Sequence, residues 1–77
     1  MVLVNDIVNI LVVDDDHFMR DLLTRHLSNR GHVVYTAADA EKALTLLQED
    51  DMDIVIIDIL LKGISGIELI DLIEEQD

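Results

Sequence analysis

Asp14, Asp15 and Asp16 follow directly on the apolar run Ile10-Leu11-Val12-Val13, and Asp58 follows directly on a second such run, Ile54-Val55-Ile56-Ile57. If the two runs are neighbouring parallel strands, Asp14, Asp15 and Asp58 meet at the carboxyl edge of the sheet, where open α/β sheets place their ligand sites. Carboxylates about 4 Å apart repel by roughly 4 kcal/mol per pair at an effective dielectric near 20, so protons or a metal must occupy such a pocket. An all-oxygen donor set favours Mg²⁺ over zinc. Asp16 reads as a helix cap, with the positive end of the helix dipole beside it.

The elements that must position these acids follow from hydrophobic patterning. Asn9 to Val13 is a continuous β-prone run, as expected of a strand covered on both faces. Asp16 and His17 then open a helix in which Met19, Leu22, Leu23, His26 and Leu27 repeat at helical spacing, with Asp21 and Arg25 paired four apart on another face. Gly31 stops it, as the residue directly past the cap. Val33 to Ala37 is a second strand. Asp39 caps a second helix running to Glu49 on a core stripe of Ala40, Ala43, Leu44 and Leu47. Ile54 to Ile57 is the third strand. Leu60 to Ile64 reads as a loop around Gly63, and Ser65-Gly66-Ile67-Glu68 fits a capping box for a third helix carrying Ile67, Ile70 and Ile73.

Strict β-α-β-α-β-α alternation means a parallel sheet in an α/β fold. Right-handed crossovers give strand order 2-1-3 and put the first helix on one face, the second and third on the other. Asp14, Asp15 and Asp58 then stand on adjacent strands. The same topology leaves Ile54, Ile56 and the bare side of the first strand uncovered, and an exposed parallel edge with apolar faces invites a homo-oligomer.

The bulk numbers bound the partners. The chain has 77 residues, 51% of them hydrophobic, with 17 acids against 5 lysines and arginines and a net charge of −12. Electrostatic binding to nucleic acid or an anionic membrane is disfavoured, and a cation or a cationic surface is favoured. The amino terminus has no positive region of a signal peptide, and no apolar run approaches the roughly 18 residues of a spanning helix. The absence of cysteine excludes disulfides and is compatible with a reducing cytoplasm, the expected location. His17, His26 and His32 are too widely spaced for a zinc site, and Phe18 and Tyr35 read as packing residues.

Several of these segments together resemble the receiver domain of two-component response regulators, which is flavodoxin-like in fold. They are Ile10 through Asp16, Arg30-Gly31-His32, Ala38 through Leu44, and Asp53 through Asp58 followed by Gly63 through Leu69. The resemblance runs from Asn9 to the carboxyl terminus. It implies that Asp58 is the phosphoacceptor, attacking a phosphohistidine on a sensor histidine kinase or phosphotransfer protein. It implies Mg²⁺ held by Asp14, Asp15 and Asp58 with the backbone carbonyl of Leu60. A carboxylate nucleophile suits this chemistry, and the ion neutralises charge gathering between two anions.

The departures from the family pattern are specific. A full receiver has five β-α units, and residues 1–77 match the first three. The strand 4 Thr or Ser and the strand 5 Lys that hold the phosphoryl group in the family have no counterpart here, and Lys62 stands where Pro is common. Two functions of different class follow: a phosphoacceptor receiver, and a non-catalytic half-domain that self-associates. Flavin or nucleotide binding is disfavoured, because no Gly-rich cradle follows the first strand.

Overall fold

The computed structural model describes residues 7–58 and 66–76. Its elements are β1 (Asn9–Val13), α1 (His17–Ser28), β2 (Val33–Ala37), α2 (Ala40–Glu49), β3 (Ile54–Ile57) and α3 (Gly66–Gln76). The three strands form one parallel sheet in order β2-β1-β3. Central β1 is apolar from Ile10 onward because both of its faces are covered: Ile10, Leu11, Val12 and Val13 are at most 2% exposed.

Alternation along the strands divides the sheet between two helical layers. Leu11 and Val13 meet Ala37 and, from α2 and α3, Ala40, Ala43 and Leu69, with Tyr35, Val55 and Ile57 packed against them. Ile10 and Val12 face the opposite side, where α1 packs on β1 and β2. This is the predicted division of one helix against two. Both helix starts are capped locally as the sequence indicates: Asp16 accepts from the Phe18 amide and Asp39 from the Lys42 amide.

Several expectations are corrected. The half-buried stripe of α1 is Arg20, Leu23, Thr24 and Leu27, while Met19, Leu22 and His26 are exposed. Leu23 and Leu27 lie on the inward stripe as expected, but hydropathy placed its centre off by part of a turn because an arginine and a threonine occupy the other two inward positions. Phe18 is 70% exposed rather than packed, since it lies on the outer face with Leu22 and Arg25. Asp21 lies 3.5 Å from His17 Nε2, one turn earlier, instead of pairing with Arg25. The cap of α1 is Asn29, and Gly31 takes the left-handed φ of 90° two residues beyond it, after a further tight turn closed by the Gly31 amide on the Ser28 carbonyl.

In α3 the residue buried completely is Leu69, with Ile73 half-buried. Ile67 and Ile70 are 59% and 42% exposed. The bare side expected on the first strand is absent. Exposure falls instead on β3, where Ile54 and Ile56 are 47% and 37% exposed. The loop expected around Gly63 lies outside the described residues, as does Ser65, the first residue of the expected capping box.

Candidate functional site

Strand register builds the site. Val13 stands opposite both Ala37 and Ile57, so the three strands end in one row. The hydrogen-bond ladder then continues one residue further. The Asp14 amide donates to the Ala37 carbonyl at 3.1 Å, and the Asp58 amide donates to the Val13 carbonyl at 2.9 Å. Asp14 and Asp58 are therefore fixed by the sheet itself, one step beyond its edge, although they are 44 residues apart in sequence.

The loop from Asp14 into α1 is tied by its own side chains. One carboxylate oxygen of Asp14 accepts from the Asp16 amide, and one of Asp16 accepts from the Phe18 amide, both at 2.9 Å. Such two-residue side-chain-to-backbone links hold acidic turns. From the first inward position of α1, Arg20 Nη1 donates to the Asp14 carbonyl at 2.7 Å.

Carboxylate oxygens of Asp14, Asp15 and Asp58 lie within 4.8 Å of one another, with Asp14 and Asp58 half-buried and Asp15 exposed. The three acids singled out in the sequence are thus brought together. Oxygens around an octahedral Mg²⁺ at roughly 2.1 Å stand about 3 Å apart when adjacent and about 4.2 Å when opposite. Three oxygens within 4.8 Å of one another therefore draw closer by up to about 2 Å to share such an ion, a shift within reach of side-chain rotation. The donor chemistry and spacing fit a hard divalent cation. Leu60, whose backbone carbonyl is the fourth expected ligand, lies outside the described residues, as does Lys62.

Asp16 is the helix cap, as read. His32 serves the opposite end of the sheet, its Nδ1 accepting from the Val8 amide at 3.3 Å. Arg20 is the site neighbour that sequence reasoning missed. The available signal was a cation on the fourth residue of the helix after an acidic strand end, one turn from its cap.

The sequence pattern of the response regulator receiver domain family matches residues 10–77. The transcriptional regulatory protein YrkP of Bacillus subtilis is 49% identical over 59 residues, which cover 77% of this chain and 25% of YrkP. The chain spans about a quarter of the length of the curated relatives it matches. Among solved structures, the chemotaxis response regulator CheY4 of Vibrio cholerae superposes with a TM-score of 0.89 at 30% identity, over 92% of this chain and 59% of that one. The response regulator TrrA of Thermotoga maritima, solved in complex with Mg²⁺-BeF, gives 0.86 at 38% identity over 92% and 62%. TrrA has also been solved in complex with the histidine kinase ThkA.

Proposed function

The chain belongs to the response regulator receiver domain family, and from that membership we propose that it carries the phosphoacceptor of a two-component phosphorelay. Asp58 takes a phosphoryl group from a phosphohistidine on a sensor histidine kinase or phosphotransfer protein. Residues 1–77 form the N-terminal part of the receiver, its first three β-α units. The observation that carries this reading is the meeting of three carboxylates at the carboxyl edge of a parallel sheet, with Asp58 held there by the β1 ladder.

In the transfer a carboxylate oxygen of Asp58 forms the new bond to phosphorus as the phosphorus–nitrogen bond to the partner imidazole breaks. The released imidazole takes up the proton it lacked as phosphohistidine. Asp14, Asp15 and Asp58, with the Leu60 carbonyl, are the residues that would hold Mg²⁺. When bound, the ion supplies positive charge between an anionic nucleophile and an anionic phosphoryl group. The relatives support the assignment, since TrrA was solved both with Mg²⁺-BeF and with a kinase.

Phosphorylation of the 77-residue chain is expected to be slow, because it holds no counterpart of the family's hydroxyl and lysine. Loss of one preorganised charge-stabilising group costs about 10²–10³ in rate. Incubation with Mg²⁺ and a small phosphodonor, read by intact mass, should give at most one added phosphoryl group, abolished by Asp58→Asn. Phosphate that persists in the variant assigns the acceptor elsewhere. A rate equal to that of full-length relatives removes the weight placed on the missing groups.

The exposure of Ile54 and Ile56, with an open groove between β3 and α3 lined by Val55, Ile57, Ile70, Ile73 and Glu74, favours a second reading. In it the segment self-associates through the β3 edge as a non-catalytic unit. Light scattering over a dilution series should then report a dimer or larger species at micromolar concentration. A monomer throughout the series, binding no apolar dye, would sink this reading.

A further inference from the structure

We propose that Arg20 is a positioning residue of the acidic site, fixing the backbone from which Asp14 and Asp15 present their carboxylates to a divalent cation. The inference rests on the metal-binding reading of Asp14, Asp15 and Asp58 and adds to it a residue outside the ligand set.

Arg20 occupies the first position of the inward stripe of α1, the one nearest the acids, and is half-buried there. Its Nη1 lies 2.7 Å from the Asp14 carbonyl oxygen, the short distance of a charge-assisted hydrogen bond. The peptides on either side of the Asp14 Cα are thereby both held, the Asp14 amide by the Ala37 carbonyl and the Asp14 carbonyl by the guanidinium. That carbonyl belongs to the peptide joining Asp14 to Asp15, so the clamp sets the orientation from which Asp15 leaves the chain. Asp15 needs it most. Among the described residues no side-chain hydrogen bond holds Asp15, which is exposed, whereas Asp14 has the Asp16 amide and Asp58 has the sheet.

A counter-charge role would look different. A cation whose effect is purely electrostatic lowers the affinity of nearby carboxylates for a second cation, so its removal tightens metal binding. A positioning residue has the opposite sign, because its removal lets the ligand loop wander. Residues that orient metal ligands from outside the ligand set change affinity by roughly 10–100-fold. Lysine keeps the charge but not the planar fork or the reach of arginine.

Calorimetric titration of the chain with MgCl₂ separates the cases. Arg20→Met should weaken Mg²⁺ binding about tenfold, at the low end of that range, and Arg20→Lys should fall between it and the parent. A parent-like or tighter Kd in Arg20→Met overturns the proposal. Amide hydrogen exchange in the metal-free chain is the second readout. In Arg20→Met the amides of Asp16 and Phe18 should exchange several-fold faster while those of β3 are unchanged, a local pattern that general destabilisation does not give. If Arg20→Met does not fold, Arg20→Lys carries both measurements, and parent-like values in both overturn the proposal. A parent chain that binds no Mg²⁺ overturns the metal reading itself. The exchange arm then decides on Arg20 alone, and unchanged exchange at Asp16 and Phe18 removes its positioning role.

Discussion

Leu69→Ala should lower the unfolding free energy by about 3 kcal/mol, within the roughly 2–5 kcal/mol typical of removing a buried leucine side chain. Leu69 is fully buried and is the residue through which α3 enters the core, against α2 and the sheet face carrying Leu11 and Val13. A single core of this size rarely supplies more than about 3–5 kcal/mol in total, so the variant should keep no more than about 2 kcal/mol and unfold at much lower urea than the parent. Urea denaturation followed by far-ultraviolet circular dichroism measures the effect. Ile67→Ala on the same helix is the control: Ile67 is 59% exposed, and its truncation should change stability by no more than about 0.5 kcal/mol. Equal effects of the two substitutions would mean that α3 does not dock through Leu69.

The second large effect is an inversion. Without metal, Asp58→Asn should melt above the parent, because it removes one of three carboxylates whose oxygens lie within 4.8 Å of one another. Coulomb repulsion at that distance is about 3 kcal/mol at an effective dielectric near 20 and about 1 kcal/mol in water. Asp15 is exposed, and solvent screening brings the expected gain toward the lower figure. For a domain of this size, about 1 kcal/mol raises Tm by roughly 4–8 °C. With Mg²⁺ the order should reverse. The parent gains about 2.7 kcal/mol at a hundredfold excess over its Kd, while the variant has lost a ligand and gains less at the same concentration. Asp15→Asn should behave alike. Scanning calorimetry with and without MgCl₂ reads both halves, and parallel shifts of parent and variants would show that these three acids do not share a cation.

The sheet was legible in the sequence because its signals are local and continuous. Ile10 through Val13 and Ile54 through Ile57 are unbroken apolar runs with turn residues on either side, and alternation with helices leaves a parallel order of 2-1-3. The acids of the site were legible because strand ends can be located to a residue, and register carried Asp14 and Asp58 into one row. Helix phase was harder. In α3, Ile67, Leu69, Ile70, Leu72 and Ile73 are apolar on more than one side, so no single stripe stands out, and tertiary placement selects Leu69. In α1 the inward face carries Arg20 and Thr24, which a hydropathy rule assigns outward. Arg20 turns in because its guanidinium finds the Asp14 carbonyl, a partner that appears only once the strand end is in place.

The central place of β1 has a consequence for the newly made chain. On the ribosome, residues 9–37 emerge before β3 and can close β1, α1 and β2 into a unit, but that unit leaves one long edge of β1 without a neighbour. The strand that covers it ends at Ile57, twenty residues after Ala37. At roughly 5–20 residues per second of translation, the edge bearing Ile10 through Val13 stays open for about 1–4 s. Unpaired apolar edges recruit strands from other chains. The acidic segment Glu49-Asp50-Asp51, with Asp53, is translated within this interval, immediately before β3. Its like charge repels the same segment of a neighbouring nascent chain while the edge waits for its own strand.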